Sequence, residues 1–79
     1  MESQLKSRQS VRIIGRVHNV IKAGGYGFIH TDDSQKFFFH VNWTREKALP
    51  EKNSIVEFTP VYKNVNGKKS LAVRVEVIS

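Results

Sequence analysis

The stretch GGYGFIHTDDSQKFFFHVNW, residues 24–43, holds six of the chain's eight aromatic residues in twenty positions, with two histidines among them. It divides into two short aromatic runs, YGFIH and KFFFHV, separated by the polar turn sequence TDDSQ. Such a pattern predicts a β-hairpin. Side chains alternate across a strand. In the first run Tyr26, Phe28 and His30 therefore share one side, opposite Gly25, Gly27 and Ile29. In the second, Phe38 and His40 lie opposite Phe37, Phe39 and Val41. The set Ile29, Phe37, Phe39 and Val41 is wholly apolar and is the expected core face. Tyr26, Phe28, Phe38, His30 and His40 are left on the outside, flanked by Lys22 and Lys36. Gly25 and Gly27, without side chains on the inner face, would let the strand curve.

Working outward, VRIIGRVHNVI (residues 11–21) is β-branched and reads as a strand, with Gly15 a bend or bulge. NWTREKALPEKN lacks strand propensity and suits a loop with a helical turn. SIVEFTPVY is a further strand in which Pro60 marks an edge or a bulge. NVNG supplies the positive φ angles of a tight turn, and KSLAVRVEVI closes the chain as a fifth strand. Residues 1–10 lack apolar periodicity and read as a flexible N-terminal arm, leaving residues 11–79 as one domain. Five short strands without a long helix imply an all-β fold, and a five-stranded antiparallel Greek-key barrel of the OB type is the natural candidate. An SH3-like barrel fits the same strand pattern.

Bulk properties narrow the partners. Seventy-nine residues make one small domain, which buries only about 60% of the surface its unfolded chain exposes. Thirteen Lys and Arg against seven Asp and Glu give a net charge of +6. An excess of this sign favours a polyanion such as nucleic acid. No cysteine is present, which excludes disulfides and thiolate metal ligands. No apolar run approaches a membrane span, and MESQLKSRQS lacks the apolar segment of a secretory signal. A cytoplasmic protein is expected.

The outer rings and their flanking lysines form a platform on which bases can stack, at about 1–3 kcal/mol per base and with little regard to sequence. The same residues resemble the cold shock domain family. GGYGFIH is similar to that family's first ribonucleoprotein motif, K-G-(F/Y)-G-F-I, and KFFFHV to its second, V-F-V-H-F. Gly15 stands where the family's G-K-V opens the first strand, VEF (residues 56–58) matches the fourth, and LAVRV resembles A-x-N-V. The resemblance spans roughly residues 12–78. It implies an OB-type barrel that binds single-stranded RNA or DNA, and a cellular role as an RNA chaperone or regulator. Carried over by position, Tyr26 and Phe28 are the stacking rings of the first motif, and Phe38 and His40 the ring and imidazole of the second. Lys68 falls at a basic loop position and His18 where the family has a backbone-binding lysine.

The departures are specific. Where the family has K-W-F-N, this chain reads His18-Asn19-Val20-Ile21, so the stacking tryptophan is replaced by Asn19. The phenylalanine after the second motif's histidine is Val41, and the lysine before the first motif's glycine is Gly24. Lys36 replaces a residue that is acidic in many members, which points to greater reliance on phosphate contacts and a steeper fall of affinity with salt. Trp43, two residues past the platform, either reaches its edge or packs over the barrel end, and the latter is expected. Lys6, Arg8 and Arg12 are candidates for further electrostatic contacts.

Other chemistries find less support. His18, His30 and His40 lack a nearby carboxylate or cysteine at ligand spacing, and Asp32 and Asp33 suit a turn; no metal and no other cofactor is expected. There is no nucleophile–base set, no phosphate-binding loop ahead of a helix and no small-molecule site, so an enzyme is not expected. The alternative is an OB-type barrel whose aromatic patch docks a protein after losing most nucleic-acid binding. The sequence leaves RNA versus DNA and the oligomeric state open.

Overall fold

Alternating β-branched and aromatic residues form five strands: β1 (Ile13–Ile21), β2 (Tyr26–His30), β3 (Lys36–His40), β4 (Ile55–Val61) and β5 (Ser70–Val77). They are seen in a computed structural model that describes residues 11–62 and 70–79. The N-terminal arm, the expected turn at residues 64–67 and Lys68 lie outside the described residues.

The strands close into a barrel in the order β1-β2-β3-β5-β4. β1 runs antiparallel to both β2 and β4, β2 to β3, and β4 to β5, while β3 and β5 meet in parallel. Of the two barrels compatible with the strand pattern, the OB type is the one adopted. Pro60 sits at an edge, as expected: β1 pairs with β4 only as far as Phe58, so beyond that point β4 has β5 alone as neighbour. No helix among the described residues is long and apolar enough to cross a membrane.

The interior is built from Val17, Ile29, Phe37, Phe39, Val56, Phe58, Ala72 and Val75, all fully buried. Phe37 stacks at a tilt on Phe58, with ring centroids 5.0 Å apart. Each such ring contributes about 1.5–3 kcal/mol by leaving water. Gly27 belongs to this face as expected. A Cβ there would stand 2.5 Å from the Asn19 carbonyl oxygen and 2.8 Å from Cε1 of Phe39, so the backbone of β1 and a core ring occupy the space a side chain would need.

Three expectations at strand ends are corrected. Val41 is not a core residue of β3. That strand ends at His40, whose Nδ1 accepts a hydrogen bond from the Asn42 amide and caps a 3-10 turn, Val41–Trp43, leaving Val41 half-exposed. Gly25 does not face the core either; it turns the chain into β2 at φ 73°, a left-handed conformation that glycine adopts without strain. Gly15 is no bulge: it faces inward, where a Cβ would meet Ile29 and Phe58. The bulge falls at His18, because Val17 pairs with Ile29 but Asn19 pairs with the very next residue back, Phe28. Val17 is tied on its other side, donating to the Ser54 carbonyl and accepting from the Asn53 amide. With that residue pinned, the extra one is accommodated just after it.

Candidate nucleic-acid interface

Directly opposed residues of antiparallel strands share a face, so the register lays out the barrel's outer surface in rows. Ile21, Tyr26 and His40 form one row; Asn19, Phe28, Phe38 and Leu71 the next; Arg16, His30 and Lys36 the third. The bulge matters here. Without it Asn19 would follow Val17 inward; with it Asn19 stands exposed beside Phe28. The face thus grades from two aromatic rows to one that is cationic.

Tyr26, Phe28 and Phe38 form a three-ring cluster. Tyr26 meets Phe38 at 5.3 Å between centroids and Phe28 at 6.1 Å, and Phe28 meets Phe38 at 5.7 Å. Edge-to-face and tilted contacts of this kind hold rings in fixed orientations. All three remain partly exposed. Lys36 places its Nζ 6.0 Å from the Phe28 centroid, at the outer reach of a cation–π contact. His40 uses Nδ1 to cap the 3-10 turn, which leaves its Nε2 edge to donate elsewhere.

Trp43 packs on the core and also reaches this cluster. The 3-10 turn swings it back so that its ring lies 5.9 Å from both Phe38 and His40, while its inner edge packs on the core. Thr44 holds the turn in place. Its hydroxyl donates to the Val41 carbonyl at 2.8 Å and accepts from the Ala48 amide at 3.0 Å. The one signal available beforehand was that Trp43 lies close in sequence to the second aromatic run; where the strand would stop was not visible.

The histidines do not act as one group. His40 is in the aromatic rows, whereas His18 and His30 stack on each other, 4.0 Å apart and within 10° of parallel. His30 buries its Nε2 without a hydrogen-bond partner among the described residues. Burial holds this imidazole below the ordinary histidine pKa, with His18 and then Lys36 adding to the effect. Parallel rings do not converge their nitrogens on one ion, and no group of three or more metal-ligating side chains occurs among the described residues.

The remaining cations divide. Lys22 lies in the turn after β1, beside Asn19 and Lys52 in a shallow groove. Arg12, a candidate phosphate contact, is instead committed to the fold. Its guanidinium donates to the carbonyls of Glu57 and Arg74, to the Thr59 hydroxyl and to the Glu76 carboxylate.

No protein-family model matches the chain, and no match is found among curated proteins. Among solved structures it is similar to Drosophila Unr CSD456, with a TM-score of 0.71 over 100% of this chain and 32% of that one, at 21% sequence identity. The fold is that of a cold shock domain. The chain spans about a third of the Unr segment it matches. On that barrel the two aromatic runs lie side by side as β2 and β3, and they carry the aromatic rows outward.

Proposed function

We propose that this chain binds single-stranded RNA or DNA, with bases stacking on Tyr26, Phe28, Phe38 and Trp43 and with His40 stacking or donating at the edge. The observation that carries this reading is the contiguous, partly exposed ring cluster outside the β2–β3 hairpin. Core packing does not account for Tyr26, Phe28 and Phe38, since the hairpin's other face supplies the core. Lys36 at one end and Lys22 at the other neutralise phosphates, as does Lys68. His18 and His30 extend the polar end of the strand's path. Stacking needs splayed bases, so the domain captures open strands and disfavours hairpins, which is the basis of an RNA-chaperone or regulatory role. Trp43 offsets part of what Asn19 loses where the family has a tryptophan. Binding to preformed surfaces of this kind requires no cofactor and no chemistry.

The test is fluorescence anisotropy with labelled single-stranded RNA, single-stranded DNA and duplex of equal length across a salt series. Preference for single strands, with a slope reporting several phosphate contacts, supports the reading. Equal binding to duplex that vanishes with salt, or no binding, would overturn it and favour a protein partner for the aromatic face.

A further inference from the structure

At Trp43 the surface opens into a cleft of about 620 Å³, lined also by Asn42 and Thr44 of the 3-10 turn and its cap. Its walls carry Arg12, Arg45, Lys47 and Arg74 against a single carboxylate, Glu76. Two features of the fold assemble it. The segment after the 3-10 turn is clipped to β5, with the Arg45 amide donating to the Val75 carbonyl at 2.7 Å and Thr44 bridging to Val75. At the same place β5 bulges, since Glu76 pairs with Glu57 but Val73 pairs with Thr59. These two irregularities bring Arg45 and Arg74 to one cleft although they are far apart in sequence.

Arg74 is the informative residue. It sits at φ 54°, in the left-handed region that disfavours a side chain and suits glycine. An exposed bulge position gives no packing reason to keep an arginine there. Its guanidinium has no ion-pair partner among the described residues, whereas its carbonyl is used by Arg12. The Arg45 side chain is largely exposed and meets the Glu76 carboxylate, and the Lys47 ammonium donates to the Asn42 carbonyl. Glu76 is shared between Arg12 and Arg45. Arg12 is thus the structural brace, and three cations face the cleft with one carboxylate already divided.

Resting on the reading of the platform given above, we propose that this cleft is a second subsite for the same strand. Trp43, common to the ring cluster and the cleft wall, carries the strand over the turn, and Arg74, Arg45 and Lys47 then take its phosphate backbone. A single-stranded phosphodiester suits the site better than an acidic protein surface, because the cations continue a row of stacking rings and do not stand alone. The bound strand is accordingly longer than the platform, and its far end is held by charge.

The test compares oligothymidylates of about four and about twelve nucleotides, within the range OB folds cover, on the wild-type chain, Arg74→Gly with Arg45→Gln, and Phe28→Ala. Arg74→Gly relieves the backbone as it removes the cation, so the double variant should melt no lower than single exposed-site changes do. The expected result is unchanged affinity of the double variant for the short strand. For the long strand its salt slope should be shallower by about 1.4, at about 0.7 per released counterion, which is a loss of roughly 25-fold at 0.1 M salt relative to 1 M. Phe28→Ala should weaken both lengths. Equal loss of short and long strands in the double variant, or no loss of either, overturns the second subsite and leaves the platform standing. Failure of both lengths to bind the wild type overturns the platform and the subsite together.

Discussion

Phe37 and Phe38 are neighbours in the chain and identical in chemistry, yet they belong to different molecules in effect. Phe37 is wholly buried against Phe58, while Phe38 lies on the outer surface among Tyr26, Phe28 and Trp43. One residue of alternation separates holding the barrel together from presenting it to a partner. The two faces of the hairpin therefore fail differently when altered. The inner face should report on stability and the outer face on binding.

The largest effect expected is on the inner face. Phe37→Ala should cost about 3–5 kcal/mol of unfolding free energy, as large-to-small changes at fully buried rings do. A domain of this size has about 4–12 kcal/mol in all, so the variant should be largely unfolded or close to it in a urea titration. Near-wild-type stability would mean that the core repacks, and the contrast between the faces would weaken.

Phe38→Ala tests the other side. It should lower single-strand affinity by about 1–3 kcal/mol, or roughly 5- to 150-fold, for the loss of one stacked base. Its melting temperature should fall far less than that of Phe37→Ala, since the ring is only partly buried. Anisotropy and thermal melts on the same preparation decide the matter. Unfolding without a selective binding loss would place Phe38 in the core's account and not the site's.

How much of this was legible follows from the range of the forces involved. Alternation is a local rule, so the sequence alone placed Ile29, Phe37 and Phe39 inside and Tyr26, Phe28 and Phe38 outside. The bulge at His18 was not legible. It depends on Val17 bonding to residues 53 and 54, which are remote in sequence. Nor was the role of Arg12, whose partners at residues 57, 59, 74 and 76 meet it only after the barrel closes. The ring contacts of Trp43 were not legible for a related reason: a strand that stops at His40 turns the next three residues back toward the platform, and alternation says nothing about where a strand stops.

The bulge also offers a way to sharpen the comparison by gain. Asn19 is exposed beside Phe28, and its side-chain oxygen accepts from the amide of Val20. Asn19→Trp should add a ring to the outer row and raise single-strand affinity by about 1 kcal/mol, the lower end of a stacking contribution. Stability should change little. An unchanged affinity in the same anisotropy assay would show that the strand's path avoids β1.

The smallest effect expected distinguishes the faces by pH. His30 lies below the ordinary histidine value of 6.5 because burial, then His18, then Lys36 oppose its charge, and Arg16 stands opposite it on β1. Below that value the unfolded chain binds the proton more readily than the folded one, so the stability contributed by neutral His30 is complete above about 6.5 and is lost as pH falls toward the folded pKa. Asp33, lowered from 3.8 by hydrogen bonds from Thr31 and then Gln35, loses its contribution only in more acid solution, so the two windows separate. In His18→Gln the His30 midpoint, followed by NMR, should rise but remain below 6.5, because burial and Lys36 persist. An unmoved midpoint would show that the stacked rings do not sense each other's charge. Protonation places positive charge on the outer face, so single-strand affinity should rise through the same window in which stability declines. Stability and affinity then move in opposite directions with one proton on the outer face.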